Sequence, residues 1–246
     1  MAGRLHVIGI GPGDPELMTL KAVRILQQVS CIFVPKGREE GTSLALSIVQ
    51  KELSLEGKEI VEAYFPMVKT RGSRETGTGK QEKEDLDSKW NDTVNAVLSR
   101  LDRGIDAAFI TIGDPAIYST FFYLYDRLLE RKPPLDIEIV PGISSINAAA
   151  ARAGIYLGLG NDRIAVLPAN YLDSLEETLE KFDTVVLMKV NKVFDAVRDT
   201  LMKMKLAAAA VYVARAGMDD ERIVKDITKV QAEELNYFSL VIVRKG

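Results

Sequence analysis

Runs typical of strands alternate with runs typical of helices along nearly all of this 246-residue chain, and this alternation constrains the fold more than any other feature. The connections between runs are short, which favours layered α/β architecture with largely parallel strands. We therefore predict an α/β protein. The predicted strands are residues 5–10, 31–35, 59–66, 106–113, 137–142, 163–169, 184–190, 208–216 and 238–244, and the predicted helices are residues 16–29, 43–53, 85–103, 117–130, 144–153, 172–182 and 192–204.

The strands fall into two groups, four up to residue 113 and five after it, which predicts two α/β domains. We place them at residues 1–115 and 116–246. A ligand cleft is expected between α/β layers of this kind. The last strand, residues 238–244, is expected to pair antiparallel with the run at 208–216.

Composition excludes several classes of function. The net charge is −3 and the isoelectric point is about 5.5, so nucleic acid is not an expected partner. No apolar run approaches the roughly 20 residues that span a bilayer, and no signal-peptide pattern is present. The only histidine, His6, and the only cysteine, Cys31, both lie in predicted strands. We expect no protein-ligated metal site, no disulfide framework and a cytoplasmic location.

The first predicted strand runs into a glycine turn at residues 9–14 (G-I-G-P-G-D). This turn is close to the dinucleotide fingerprint G-x-G-x-x-G, in which pyrophosphate sits on a helix N-terminus. Here the third glycine comes one residue early, and Pro12 has no N–H to donate to a phosphate. The pattern predicts a tightly turned loop that does not hold a diphosphate.

Two further turns follow predicted strands. Residues 111–120 read T-I-G-D-P-A-I-Y-S-T, where glycine permits close backbone approach and Asp114 can accept hydrogen bonds. Residues 140–145 read V-P-G-I-S-S, where Ser144 suits a helix N-cap. Each turn alone is equally consistent with a structural role, as a turn and helix start. Their functional interpretation is that glycines, hydroxyls and backbone N–H groups meet a ligand at the carboxyl ends of strands.

Together the three turns resemble the tetrapyrrole (corrin/porphyrin) methyltransferase family, whose members carry G-x-G-P-G-D, then G-D-P, then P-G-[IV]-[ST] in this order. The resemblance covers essentially the whole chain. Residues 113–121 (G-D-P-A-I-Y-S-T-F) are similar to the precorrin-2 / cobalt-factor II C20-methyltransferase branch, with Ala116 where a hydroxyl residue is typical. The resemblance implies the two-domain fold of that family, with S-adenosylmethionine bound in the cleft and S-adenosylhomocysteine as product.

The same resemblance implies a set of cofactor-binding residues. Met188, Ala216 and Leu240 lie in later strands and match the family less securely than the residues in the three turns. Each of them is equally consistent with core packing. An adenine ring also needs an apolar slot, so the two interpretations overlap. The implied residues are Pro12, Gly113, Asp114, Ile117, Ser119, Thr120, Ser144, Ser145, Met188, Ala216 and Leu240.

Methyl transfer suits a chain with few reactive side chains. A sulfonium is already an activated electrophile, so alignment of donor and acceptor is the main requirement. The macrocycle carbon supplies its own nucleophilicity. A proton must leave the ring, and Asp114 is our candidate for assisting that loss. Tyr118 is a second candidate, as a donor or as a ring to stack on; packing within its helix is the alternative.

Cations are expected to meet the carboxylates of such a substrate. Residues 67–84 are polar and lack apolar periodicity, which predicts a mobile loop with five basic residues against three acidic ones. The loop is either solvated or a lid over an anionic substrate. The candidate substrate-binding residues are Lys36, Lys69, Arg71 and Arg74.

The resemblance therefore implies methylation at C20 of precorrin-2 or cobalt-factor II in cobalamin biosynthesis, by an enzyme that commonly forms homodimers. The first domain is assigned to the substrate and the second to the cofactor. Methylation of another ring carbon, or of uroporphyrinogen III, is the nearest alternative. A non-enzymatic nucleotide-binding α/β domain is a distant one.

Overall fold

The computed structural model describes residues 2–37, 42–64, 80–169 and 174–246, with backbone only for residues 80–86. The chain divides into two compact units, Met1–Ile143 and Ser144–Gly246. Each unit has its own sheet. The prediction of an α/β protein is confirmed. Among the described residues, no helix combines the length and apolar character that crossing a bilayer would require.

The first unit contains a five-stranded sheet in the order β3-β2-β4-β1-β5, and all its neighbouring strands are parallel. Parallel strands need crossover connections, and helices supply them. The strands are β1 (Leu5–Gly9), β2 (Cys31–Lys36), β3 (Glu59–Tyr64), β4 (Ala107–Thr111) and β5 (Ile137–Val140), and the helices are α1 (Leu20–Gln28), α2 (Leu44–Glu52), α3 (Lys80–Asp102) and α4 (Phe122–Arg131).

This first sheet is covered on both faces, which explains why its strands are continuous apolar runs. In β1, Leu5 and Val7 belong to a core cluster that includes residues of α3 and α4. Ile8 belongs to a second cluster, which includes residues of α1 and α2. Side chains alternate between faces along a strand, so one short run contributes to both cores.

The second unit contains a mixed five-stranded sheet in the order β6-β7-β10-β8-β9. Strands β6 and β7 are parallel, whereas β10 lies between β7 and β8 and is antiparallel to both. The antiparallel pairing of β8 with the last strand is confirmed. The elements are α5 (Ser145–Ala153), β6 (Ile164–Pro168), α6 (Leu175–Lys181), β7 (Thr184–Met188), α7 (Phe194–Lys203), β8 (Ala210–Ala214), β9 (Arg222–Val224) and β10 (Ser239–Arg244).

The domain boundary lies later than the sequence suggested. We expected the first domain to end at residue 115, but the compact units divide between Ile143 and Ser144. The reason is the pairing of β5 with β1 in the first sheet, with Leu5 opposite Ile137. Residues 116–143 therefore complete the first sheet.

The starts of α3 and α4 each differ from the prediction by five residues. Helix α4 begins at Phe122 instead of residue 117, because residues 114–121 form turns in which Tyr118 has a left-handed φ of 53°. Helix α3 begins at Lys80, so residues 80–84 are helical and not part of a loop. The rest of the predicted loop, residues 67–79, lies outside the described residues.

We predict that Leu101→Ala, which empties a fully buried position in α3, lowers the free energy of unfolding by about 2–5 kcal/mol. Leu20→Ala is the matched control: its side chain is 90% exposed, and the expected change is within about 0.5 kcal/mol. Urea unfolding followed by circular dichroism measures both. Equal losses in the two variants would contradict the assignment of the core.

Candidate functional site

Three glycine backbones meet at the carboxyl edge of the first sheet, where β4, β1 and β5 are neighbours. We call Gly9, Gly113 and Gly142 the glycine edge. A Cβ added to Gly142 would lie 2.3 Å from the carbonyl oxygen of Gly113 and 2.7 Å from that of Gly9. A Cβ added to Gly9 would lie 2.6 Å from the Gly113 oxygen. Real Cβ atoms do not approach so closely, so only glycine permits this packing.

Hydrogen bonds join the first two turns directly. The N–H of Gly113 donates to the carbonyl of Gly11 at 2.7 Å, and the N–H of Ile10 donates to the carbonyl of Thr111 at 3.0 Å. Gly113 has a φ of 74°, a left-handed conformation that favours glycine. Backbone hydrogen bonds therefore hold the turn after β4 against the turn after β1.

Asp114 connects this pair of turns to the third. Its Oδ1 accepts the N–H of Ala116 at 2.7 Å, and its Oδ2 accepts the N–H of Gly142 at 3.0 Å. Both carboxylate oxygens are thus engaged by backbone donors. This geometry suits a brace that fixes the loops better than it suits a group that takes a proton from a substrate.

Tyr118 lies at the exposed side of the second turn. Its left-handed φ of 53° is uncommon for an aromatic residue, and such backbone conformations cluster at functional sites. Partial burial raises the pKa of the Tyr118 phenol above its ordinary value. The phenol therefore stays protonated near neutral pH, where it can donate a hydrogen bond but does not act as a base.

The remaining residues of the first two turns are arranged around these groups. The Ser119 hydroxyl accepts the N–H of Phe121 at 3.2 Å, just before α4. Ile117 is exposed and Thr120 half-buried, whereas Pro12 is buried. Pro12 follows Gly11, whose φ of 83° turns the chain sharply. The first turn is therefore tight, as predicted.

In the second unit, Ser144 caps α5 by accepting the N–H of Ile146 at 3.2 Å, which confirms its structural role, and Ser145 is the first residue of that helix. Ile146 belongs to a cluster under α5 that also contains Ala216 and Leu240, with Met188 packed against it. Leu240 lies directly opposite Met188 in the β7–β10 pairing. Met188, Ala216 and Leu240 are far apart in the sequence, and the structure brings them together at one apolar cluster. We call it the α5 cluster.

Two basic residues lie next to this cluster, and nothing in the sequence indicated either of them. Lys189 follows Met188 with a φ of 60°, and Arg215 precedes Ala216 with a φ of 53°. Their N–H groups donate to the carbonyls of Ser239 and Phe238, at 3.2 and 2.7 Å. Basic residues with left-handed φ leave no pattern in the sequence, so no signal could have revealed them.

Lys36 ends β2 in the first unit. Its side chain is only 9% exposed, and its Nζ lies 2.9 Å from Oε2 of Glu62 on β3. The structure thus places the charge of Lys36 at the carboxyl edge that carries the glycine turns. The other candidate cations, Lys69, Arg71 and Arg74, lie outside the described residues.

Comparison with known proteins gives the site its context. A family model described as Tetrapyrrole (Corrin/Porphyrin) Methylases matches residues 4–231. The chain is 34% identical, over 98% of its length and 96% of the relative, to the probable cobalt-precorrin-2 C(20)-methyltransferase of Methanocaldococcus jannaschii. It is 32% identical, over 98% of its length and 95% of the relative, to the precorrin-2 C(20)-methyltransferase of Sinorhizobium sp.

A solved structure has a similar fold. The uroporphyrin-III C-methyl transferase from Thermus thermophilus, complexed with S-adenyl homocysteine, superposes with a TM-score of 0.64. The comparison covers 98% of this chain and 97% of that one at 21% identity, so it supports the fold alone.

We predict that Gly142→Ala lowers the free energy of unfolding by about 3 kcal/mol, because its Cβ would overlap backbone atoms that have no room to move. Gly160→Ala is the control for backbone strain. Gly160 has a φ of 52° with open space around its Cβ position, so about 1–2 kcal/mol is expected there. Chemical unfolding compares the two, and a smaller loss for Gly142→Ala would contradict the close packing.

Proposed function

Since the chain belongs to the tetrapyrrole (corrin/porphyrin) methylase family, we propose that it transfers a methyl group from S-adenosylmethionine to C20 of precorrin-2 or its cobalt form, in cobalamin biosynthesis. The observation that carries this proposal is the near-complete, 34% and 32% identical match to two relatives named for this reaction. Their names differ in whether the ring holds cobalt, and the first experiment below decides between the two substrates.

The proposed cofactor residues suit S-adenosylmethionine. The α5 cluster offers apolar contacts of the kind an adenine ring needs. The glycine edge packs the turns of the first unit tightly together, so the cofactor residues proposed in those turns have a fixed arrangement. When bound, the cofactor supplies an activated methyl group on a sulfonium. The remaining cofactor-binding residues proposed are Pro12, Asp114, Ile117, Ser119, Thr120, Ser144 and Ser145.

The residues of the chain then act mainly by positioning. Asp114 holds two backbone donors and keeps the second and third turns in register. Tyr118 is protonated and half-exposed, so it can donate a hydrogen bond to the substrate or orient its ring. Alignment of reacting atoms can contribute several kcal/mol to a lowered barrier without any proton transfer.

The substrate contacts are proposed for the first unit, with Lys36 as the described cation and Lys69, Arg71 and Arg74 as cations from the sequence. A precorrin carries many carboxylates, and ammonium and guanidinium groups bind carboxylates by charge-assisted hydrogen bonds. We also propose that the enzyme works as a cytoplasmic homodimer. Sedimentation equilibrium of the purified protein tests the dimer.

We predict that the native protein, given methyl-labelled S-adenosylmethionine, adds one methyl group to precorrin-2 or to cobalt-precorrin-2. Mass spectrometry counts the methyl groups, and NMR of the product locates the label at C20. Gly113→Arg should abolish binding of S-adenosylhomocysteine, because the left-handed φ of 74° strains any residue with a side chain and the hydrogen bond to Gly11 fixes this backbone.

Three outcomes would contradict this proposal. Labelling at another ring carbon would keep the family and change the methylated position, whereas turnover of uroporphyrinogen III alone would keep the family and change the substrate. Calorimetry that detects binding of NAD and none of S-adenosylhomocysteine would support a nucleotide-binding domain instead.

We predict that Asp114→Asn weakens binding of S-adenosylhomocysteine by about tenfold, because an amide has one acceptor oxygen where Asp114 uses two. Asp14→Asn is the matched control. Asp14 caps a neighbouring turn through Oδ1 alone, accepting the N–H of Glu16 at 2.9 Å, so an amide oxygen can replace it.

Calorimetry and steady-state rates separate the two roles of Asp114. If Asp114 acts as a brace, we expect Asp114→Asn to have a higher dissociation constant for S-adenosylhomocysteine and a rate–pH profile of unchanged shape. An unchanged dissociation constant with turnover lost would instead identify Asp114 as a base.

A further inference from the structure

A cavity of about 400 Å³ opens in the first unit beside β2, β3 and α3. We call it the lysine recess. Lys36, Glu62 and Tyr64 line it from the strands, and Lys89, Asp92 and Thr93 line it from the helix. Its walls thus combine two cations, two anions and one aromatic ring. Nothing in the site described so far uses Lys89, Tyr64 or Thr93.

Charge is distributed unevenly within the lysine recess. Lys36 is nine-tenths buried, whereas Glu62, its partner at 2.9 Å, is 58% exposed. Asp92 is exposed as well. The most buried charge is therefore a cation, and the two carboxylates lie where water solvates them. A substrate carboxylate can replace Glu62, because the Glu62 carboxylate returns to water while the buried ammonium of Lys36 keeps an anionic partner.

Lys89 presents the second cation. Its Nζ lies 4.4 Å from the centre of the Tyr64 ring, a cation–π contact that places the ammonium beside the ring. Thr93 lies one turn further along α3 and donates its hydroxyl to the carbonyl of Lys89 at 3.2 Å, so the two residues share one face of the helix. An ammonium has three donors, so it can bind a carboxylate while it contacts a ring.

The recess shares the sheet edge that carries the glycine turns. Lys36 and Tyr64 are the last residues of β2 and β3 and lie opposite each other in register. Strand β4 separates β2 from β1 in the sheet order. Neighbouring strands lie ~4.8 Å apart, so β2 is about 10 Å from β1 along this edge. A ligand of macrocycle size that touched the glycine edge could therefore extend a side arm to the recess.

We propose that the lysine recess binds one carboxylate arm of the tetrapyrrole substrate, with Lys36 and Lys89 as its cationic partners. The arm replaces Glu62 at Lys36 and takes a second charge-assisted hydrogen bond from Lys89. This inference rests on the proposed function, because it assigns the substrate class and adds a specificity-determining site to the same reaction.

The test compares the steady-state kinetics of Lys89→Met, Lys89→Arg and the native enzyme with precorrin-2 and cobalt-precorrin-2. We expect Lys89→Met to raise KM for the tetrapyrrole about tenfold, with little change in kcat and no change in the dissociation constant of S-adenosylhomocysteine. Lys89→Arg should restore most of the loss. Added salt should raise KM less steeply in Lys89→Met than in the native enzyme, because one ionic contact is missing.

Lys229→Met is the control variant, since Lys229 belongs to the second unit and is 77% exposed; its kinetics should match those of the native enzyme. If the native enzyme is active and Lys89→Met has an unchanged KM, the proposal that the recess binds the substrate is overturned, and the proposed function stands. A native enzyme that binds S-adenosylhomocysteine but methylates neither tetrapyrrole would overturn both.

Discussion

The close contact of three glycine backbones at the carboxyl edge of the first sheet is the constraint on which the candidate site depends. A parallel sheet brings the ends of β4, β1 and β5 to one edge, but side chains would hold the connecting turns apart. Glycine at positions 9, 113 and 142 removes that obstacle, and carbonyl oxygens occupy the space that a Cβ at Gly9 or Gly142 would need. The sheet thus sets which turns meet, and glycine sets how closely.

Asp114 converts this contact into a fixed arrangement. A carboxylate that accepts two backbone N–H groups from different turns acts as a short non-covalent crosslink, and charge-assisted bonds of this kind are stronger than neutral ones. The sequence motif G-D-P therefore has a mechanical explanation here. Glycine permits the left-handed turn, aspartate ties it to the third turn, and proline limits the backbone that follows.

The sequence predicted those features that local patterns determine. Buried strands are continuous apolar runs, so β1 and β7 were placed to within two residues of their ends. The antiparallel pairing of β8 with β10 was predicted, but other features that depend on distant partners were not. The first unit extends beyond residue 115 because Ile137 pairs with Leu5. Likewise, Oδ2 of Asp114 accepts the N–H of Gly142, and no local pattern connects these two residues. Strand β9 has only three residues, too few to form a pattern.

Backbone strain supports the candidate site independently of any motif. Four non-glycine residues in the described part of the chain have a left-handed φ, and three of them, Tyr118, Lys189 and Arg215, adjoin proposed cofactor residues. Such conformations persist only where surrounding contacts enforce them. The N–H of Lys189 donates to Ser239, the first residue of β10, and the N–H of Arg215 donates to Phe238, the residue before it. These hydrogen bonds fix the chain just after β7 and just after β8, the two strands that flank β10. A reaction that needs alignment more than acid–base chemistry benefits most from such rigid strand ends.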